Sequence, residues 1–167
     1  AERVTTAGLA AKIGVSEAAL YRHFASKAQM FEGLIDFVDQ STMGLIRQVT
    51  DRESAGPQQA GRIVALLFQF AEKNPGMSRV MIGDALVLEH ERLQERINLL
   101  FDKIEAQLRQ SLKTSDSATS ATSSTADAQV AASLLVAFMQ GRLQRFARTG
   151  FKRLPSEHLQ AALARML

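Results

Sequence analysis

The sequence predicts an all-α protein. Only 6% of the 167 residues are aromatic and none is Trp, while Leu, Ala, Gln, Arg and Glu are plentiful, and this composition favours helices over sheet. Apolar residues recur at spacings of three and four along most of the chain, and no segment alternates apolar and polar residues as a strand does. Apolar residues make up 46% and charged residues 22%, which is typical of a folded globular domain.

The composition also excludes several classes of function. The absence of Cys excludes disulfides, thiol catalysis, Cys-ligated zinc and iron–sulfur clusters. No common catalytic or nucleotide-binding motif is present, and His90 and His158 have no second ligand at a useful spacing, so we expect no enzyme activity, no catalytic residue, no metal and no cofactor. No apolar run approaches the roughly 18–20 residues of a membrane span, and we expect a cytoplasmic protein without membrane association. The net charge of +3 permits a nucleic acid partner without requiring one.

The first 28 residues have the spacing of a helix-turn-helix, and we predict a DNA-binding domain over 1–28. Thr5 is a favourable N-cap for a short helix that runs to Ile13 and ends before a Gly. Ser16 repeats this capping for a second short helix that runs to about Phe24. Two short helices joined by a Gly-containing turn of this length form the helix-turn-helix motif.

The N-terminal residues of the second helix are the predicted contacts to base edges in the major groove. Glu17 can accept a hydrogen bond from the cytosine amino group, and Ala18 and Ala19 can contact thymine methyl groups. Hydroxyl groups, helix N-termini and cations suit the phosphate backbone instead, although Tyr21 is also compatible with a core position. The predicted DNA contacts are Thr5, Thr6, Ser16, Glu17, Ala18, Ala19, Tyr21, His23 and Lys27.

The remainder of the chain is predicted to be a helical body. Ser26 begins a long third helix, in which Gln29 completes a capping box and Gly44 causes no clear break. The Asn-Pro-Gly motif at 74–76 predicts a turn, since Pro75 disfavours helix at Asn74 and Gly76 allows a positive φ. Further helices are predicted over 62–72, 77–88, 89–113, 129–151 and 155–167, with loops over 52–57 and, flexible and rich in Ser and Thr, over 114–127.

Two motifs near the N-terminus carry a resemblance to a known family. The segment TTAGLAAKIGVSEAALYRHFASKAQMF contains an L-A-x-x-x-G-V-S turn and an L-Y-x-H-F-x-x-K signature, and it resembles the DNA-binding segment of the TetR family. The resemblance implies a TetR-like fold, with a helical dimerisation and partner-binding domain over 29–167. It also implies a three-helix DNA-binding unit, so we expect the 1–28 domain to be incomplete, lacking its first helix and roughly 25–30 N-terminal residues.

The resemblance further implies a homodimer formed through the last two helices, as in other TetR-like proteins. The sequence agrees, because Leu134, Phe138 and Gly141 belong to a stretch that is more apolar than one small domain needs. A two-fold dimer presents its recognition helices to half-sites roughly 34–36 Å apart, so the implied ligand is near-palindromic double-stranded DNA.

Later segments resemble one branch of the family, the nucleoid occlusion factors. These segments are EKNPG (72–76) and RLQERINLLFDKIEAQLRQ (92–110). Proteins of that branch associate with the nucleoid and bind the C-terminal tail of the division GTPase FtsZ, in a groove between the long helix after the helix-turn-helix and the helix before the Asn-Pro-Gly turn. The positions that match this groove are Phe37, Ser41, Leu66, Lys73 and Asn74. Two departures are Leu45, where the branch is expected to have a basic residue, and Gln69, where a small one is expected.

The sequence leaves several alternatives open. A TetR-type repressor released from its operator by a small-molecule inducer would need an internal cavity. The apolar interior is compatible with such a cavity or with solid core, and Phe37 and Leu66 are compatible with plain core positions. The residues considered for the cavity are 63–70, Val80, Met81, Leu86 and Phe138. A basic cluster is more typical of a solvated face or of intersubunit pairs than of an accessory anion contact; it consists of Arg142, Arg145, Arg148, Lys152 and Arg153.

Overall fold

The computed structural model describes residues 5–13, 16, 19, 25–86, 89–113 and 121–167, and within these ranges the regular structure is entirely helical, which confirms the all-α prediction. The helices are α1 (Thr6–Ile13), α2 (Lys27–Arg52), α3 (Pro57–Lys73), α4 (Pro75–Met81), α5 (Glu91–Leu112), α6 (Ala121–Arg148) and α7 (Leu159–Met166), with a 3-10 turn over Asp84–Leu86. None of the described helices combines the length and the apolar character that crossing a membrane requires.

Helix α3 lies at the centre of the body because its apolar residues cover more than one side. It packs against α2, α5 and α6, while α5 and α6 form the most extensive helix pair. Its buried residues join one continuous core that extends from Phe31 to Leu163. Each large apolar side chain buried in this way contributes about 1.5–3 kcal/mol relative to exposure. The buried apolar residues of α3 are Ala60, Ile63, Val64, Leu67, Phe68, Phe70 and Ala71.

Helices α2 and α5 run parallel, so both begin at the end of the body that carries α1. Three ion pairs of increasing residue number join them, and this order fixes the parallel direction. Exposed pairs of this kind contribute about 0–1 kcal/mol each, so their main effect is on register. The pairs are Arg92–Glu32 at 2.8 Å, Arg96–Asp36 at 2.5 Å and Lys103–Asp39 at 2.6 Å.

Two linked hydrogen bonds, one buried and one partly buried, close the opposite end of the body. The Ser111 hydroxyl donates to Gln59 Oε1 at 2.6 Å, and Gln59 Nε2 donates to the Glu53 carbonyl at 2.7 Å. Glu53 directly follows α2, Gln59 lies in the first turn of α3, and Ser111 lies in the last turn of α5. We call this the far end, and the end that begins with Lys27 the near end.

The turn between α3 and α4 differs from the prediction. The chain turns at Asn74, and Pro75 is already the first residue of α4, a position where its fixed φ is favourable. Gly76 is therefore helical and does not adopt the positive φ that a glycine allows. The predicted helix over 77–88 is wrong for residues 82–86, where the chain turns at Gly83 with φ 78 and forms the 3-10 turn, while 87–88 lie outside the described residues.

The start of α6 also differs from the prediction. The helix begins at Ala121, so the predicted flexible loop over 114–127 is wrong for residues 121–127, while 114–120 lie outside the described residues. The composition misled because Ser and Thr are weak helix formers, and tertiary packing of the following helix overrides this propensity. Ala128 is already buried, so the first turns of α6 continue into the core.

The segment between α6 and α7 is longer than predicted at both ends. Helix α6 ends at Arg148, not Phe151, because Gly150 and Phe151 both have positive φ. Helix α7 begins at Leu159, not Pro155. The turn before it is held by Glu72, whose Oε1 accepts hydrogen bonds from Ser156 N at 3.0 Å and from its hydroxyl at 2.5 Å. We call residues 149–158 the α6–α7 loop.

Candidate nucleic-acid interface and partner groove

The helix caps of the N-terminal domain form as the sequence predicts. Thr5 Oγ1 accepts a hydrogen bond from Gly8 N at 3.0 Å, and α1 runs from Thr6 to Ile13. Ser16 Oγ accepts from Ala19 N at 3.1 Å, which is the capping bond of a second helix. Two caps eleven positions apart (16 − 5) reproduce the predicted helix-turn-helix spacing.

Only part of the predicted DNA contact set falls on described side chains. Thr5 and Ser16 are exposed and Ala19 is half-buried. Their contacts to DNA stay predictions, as does that of Lys27. The other predicted contacts, and the second helix around them, lie outside the described residues or side chains; these contacts are Thr6, Glu17, Ala18, Tyr21 and His23.

The start of α2 is capped by the two predicted side chains, with one bond displaced by a residue from that of a capping box. Ser26 Oγ accepts from Gln29 N at 3.2 Å, as in a capping box. Gln29 Oε1 reaches back beyond the cap and accepts from Ala25 N at 2.9 Å. The side chains of Ser26 and Gln29 therefore bind the backbone on both sides of the helix start.

Lys27, a predicted phosphate contact, also forms an ion pair within the chain. Its Nζ lies 2.7 Å from Oε1 of Glu89, in the segment that precedes α5. The Glu89 carboxylate is nearly buried, with 7% of its side chain exposed. The two atoms are paired by charge without the alignment of a directed hydrogen bond at Oε1. No local pattern in the sequence indicates this pair, because 62 residues (89 − 27) separate its members.

An exposed aromatic side chain marks the surface between α2 and α3. Phe37 is 48% exposed, and its ring packs on the buried ring of Phe70 with centroids 5.9 Å apart. This exposure makes Phe37 unlike a plain core residue, whereas Leu66 is half-buried against the core. Ser41 follows Phe37 one turn later on α2 and is half-buried. Phe70, which supports the exposed ring, is a residue that the sequence did not single out for this surface.

Charge and capping define the near-end side of this surface. Lys73 is exposed at the last position of α3. Asn74 Nδ2 donates to the Phe70 carbonyl at 2.9 Å, so its side chain caps α3. Of the two departures, Leu45 is half-buried and Gln69 is exposed. We call the predicted partner-binding surface, which consists of Phe37, Ser41, Leu66, Lys73 and Asn74, the α2–α3 groove.

The predicted basic cluster is partly neutralised within the chain. Glu157 accepts hydrogen bonds from Arg145 at 3.3 Å and from Arg153 at 3.2 Å. The hydrogen bond from Arg153 lowers the pKa of the Glu157 carboxyl, and the charge of Arg145 adds to this effect. Arg142 donates to the Pro155 and Glu157 carbonyls and lies 4.7 Å above the Phe138 ring. Its partial burial lowers its pKa, although Arg is charged at any physiological pH.

A cleft between α4, α5 and α6 is small and open. Its volume is about 160 Å³, below the roughly 300–1,000 Å³ of sites for drug-sized ligands. Most residues considered for an inducer cavity pack into the common core, with Ala65, Leu66 and Phe138 partly buried against it, while Gln69 is exposed. The cleft is lined by Met81, Ile82, Gln94, Ile97, Asn98, Phe101, Gln140 and Gln144. Among the described residues, no group of acidic or His side chains is arranged to hold a metal ion.

Helix caps with the spacing of a helix-turn-helix, on a body whose described regular structure is all helical, are typical of one class, the helix-turn-helix regulators. Residues 1–34 match the family described as bacterial regulatory proteins, tetR family, and residues 58–166 match the family described as Tetracyclin repressor-like, C-terminal domain. Proteins named nucleoid occlusion factor SlmA are similar over nearly the whole chain. The protein from Idiomarina loihiensis is 47% identical over 160 residues, which is 96% of this chain and 81% of the relative.

Two further SlmA proteins show the same extent of similarity. Those from Shewanella woodyi and Shewanella pealeana are 46% and 48% identical, covering 95% and 94% of this chain and 80% and 79% of the relatives. The chain therefore belongs to the TetR family, in the branch of the SlmA nucleoid occlusion factors. This is a family of DNA-binding regulatory proteins rather than enzymes, in agreement with the sequence.

Proposed function

We propose that this protein is a nucleoid occlusion factor of the bacterial cytoplasm. As a homodimer on near-palindromic chromosomal sites, it binds the C-terminal tail of FtsZ in the α2–α3 groove and blocks assembly of the division ring over the nucleoid. Family membership supports DNA binding and nucleoid association. Dimerisation, the tail and the groove are the further steps of the proposal.

An exposed apolar face on α6 supports dimerisation. Val130 is 60% exposed and Leu134 is 54% exposed, and both point the same way along the helix as Ala137 and Gly141. No atom lies within 4 Å of a Cβ built on Gly141, so a second helix can approach closely there. We call these four residues the α6 face. A two-fold dimer through this face presents two helix-turn-helix domains to one DNA duplex.

The half-exposed Phe37 ring is the single observation that carries the proposed tail contact. An apolar ring held on a buried ring offers a rigid anchor for an apolar side chain of a peptide. Lys73 supplies a cation within the same groove, suited to carboxylates of the tail. An inducer-gated repressor would need an enclosed cavity. The packed core therefore supports peptide binding in the groove over release by an inducer.

The test is a titration of the full chain against a fluorescent FtsZ C-terminal tail peptide, followed by anisotropy with and without a palindromic duplex of the SlmA type. We expect saturable binding that Lys73→Glu weakens by about tenfold or more, because a cation facing carboxylates is reversed. The matched control is Lys113→Glu, which makes the same charge change at an exposed position at the far end.

DNA binding by each variant is measured in parallel. Unchanged duplex affinity in Lys73→Glu supports a specific effect on the groove. If Lys113→Glu weakens tail binding equally, the effect is one of net charge and the groove assignment is wrong. If the wild-type chain binds the duplex and not the tail, the proposal reduces to DNA binding alone, and the inducer-gated repressor replaces it.

A further inference from the structure

The Lys27–Glu89 pair joins the DNA-binding domain to the body at their junction. Lys27 is the first residue of α2, directly after the helix-turn-helix segment. Glu89 lies in the segment between the 3-10 turn and α5. Only 21% of the Lys27 side chain and 7% of the Glu89 side chain are exposed, so the pair is shielded from water on most sides.

The direction of this pair is reversed relative to its neighbours. In the three other ion pairs between α2 and the α5 region, α2 supplies the acid and α5 supplies the base. At the near end, α2 supplies the base and residue 89 the acid. A cation in the first turn of a helix faces the positive end of the helix dipole, which is unfavourable. The stability of α2 therefore does not explain a lysine at this position, whereas contact with an anion outside the helix does.

A lysine ammonium can serve two anions at once. Its three hydrogens permit a bond to a phosphate while the carboxylate holds another side of the group. A nearly buried carboxylate is fixed by the surrounding body, whereas a free lysine side chain samples many rotamers. Glu89 is thus able to limit the ammonium to one position at the edge of the DNA-binding domain.

We propose that Glu89 is a positioning residue for DNA binding: it holds the Lys27 ammonium where it contacts a DNA phosphate. This inference rests on the phosphate contact proposed for Lys27. It predicts a change in DNA affinity opposite in direction to the change expected from charge repulsion alone. Removal of a negative charge near DNA normally strengthens binding, since it reduces repulsion of the phosphates. Removal of the Glu89 charge weakens binding, because Lys27 loses its fixed position.

The test compares Glu89→Gln with Glu91→Gln in the full chain. Glu91 is exposed at the first position of α5, two residues away, so its variant removes the same charge in the same region. Duplex affinity is measured by anisotropy at several salt concentrations. We expect Glu89→Gln to weaken binding about fivefold and to reduce the salt slope by about one. Glu91→Gln is expected to bind as tightly as the wild type or slightly more tightly.

A double variant separates positioning from a merely structural effect. If Glu89 acts through Lys27, Glu89→Gln added to Lys27→Gln causes no further loss of affinity. Additive losses show that Glu89 acts independently of Lys27 and overturn the inference. So does a Glu89→Gln variant that binds DNA as tightly as Glu91→Gln.

The same measurements distinguish failure of the proposed function from failure of the positioning role. A wild-type chain that fails to bind any duplex contradicts DNA binding itself. Wild-type binding that Lys27→Gln leaves unchanged in affinity and salt slope contradicts the phosphate contact, and the positioning role fails with it. Wild-type binding that is sensitive to Lys27→Gln and insensitive to Glu89→Gln contradicts the positioning role alone.

Discussion

The α2–α3 groove and the α6 face both expose apolar side chains, but they differ in what surrounds those side chains. In the groove, one aromatic ring lies on a buried ring, beside a lysine and a helix-capping amide. On the α6 face, aliphatic and small residues follow one another along the helix without an intervening charge. A charged rim around a single anchor is typical of reversible peptide binding, whereas a continuous apolar stripe is typical of permanent interfaces.

The strongest test of this comparison is Leu134→Glu on the α6 face. A charge in the centre of an apolar interface has no partner, so we expect the dimer to dissociate. The loss of simultaneous binding to two half-sites then weakens duplex affinity by about 100-fold. Sedimentation and anisotropy measure the two effects. Leu99→Glu is the control, since Leu99 is 58% exposed on α5, outside the face. Equal effects of the two substitutions would contradict a specific interface.

A smaller effect is expected from Phe37→Ala in the groove. Removal of the anchor ring lowers tail affinity by about 2 kcal/mol, or roughly 30-fold, while the dimer is unaffected. Thermal stability changes little, because the ring is half-exposed. Leu154→Ala, in the α6–α7 loop, provides a control at a residue with the same exposed fraction, 48%. Retention of full tail affinity by the Phe37 variant would remove the ring from the peptide site.

Gly141→Leu sharpens the description of the α6 face. The isolated protomer has room for the side chain, so its unfolding temperature is preserved. In a dimer with close helix approach, the same side chain separates the helices, and we expect the dimer dissociation constant to rise by about tenfold. Gly44→Leu is the comparison, because Gly44 is another helical glycine, with only the flexible end of the Arg47 side chain, 4.0 Å away, near its Cβ position. A dimer that tolerates both substitutions would show that the contact does not centre on Gly141.

The smallest effect concerns the charged α6–α7 loop. The pKa of Glu157 is lowered in the folded state, mainly by the hydrogen bond from Arg153. A lowered pKa means that the carboxylate stabilises the fold above its unfolded pKa of about 4.3, and that this contribution is lost as the pH falls through the lower folded value. Wild type and Glu157→Gln should therefore differ slightly in unfolding temperature at neutral pH and converge in acid. A constant difference across this range would exclude titration of Glu157 as its cause.

Local signals in the sequence predicted much of the fold. The caps at Thr5, Ser16 and Ser26 depend on bonds that span three residues, and all three form. The prediction failed where a residue permits more than one backbone state. Gly76 tolerates a positive φ but also continues a helix that begins at proline, and the Ser and Thr residues of 121–127 are helical because they precede the buried part of α6, which begins at Ala128.

The candidate site could be predicted only in part, for a related reason. Phe37 and Lys73 came from the family resemblance, but their arrangement depends on which faces of α2 and α3 meet. Phe70 supports the Phe37 ring although 33 residues (70 − 37) separate them in the sequence, and Glu89 pairs with Lys27 although 62 residues (89 − 27) separate them. Such contacts are set by tertiary packing, for which a single sequence carries no periodic signal.

The hydrogen bonds among Ser111, Gln59 and Glu53 have a consequence for the body at high salt. The bond between Ser111 and Gln59 is buried, so ions in solution screen it little, whereas the exposed pairs between α2 and α5 are screened. High salt therefore weakens the connection between α2 and α5 along their length more than it weakens the far end.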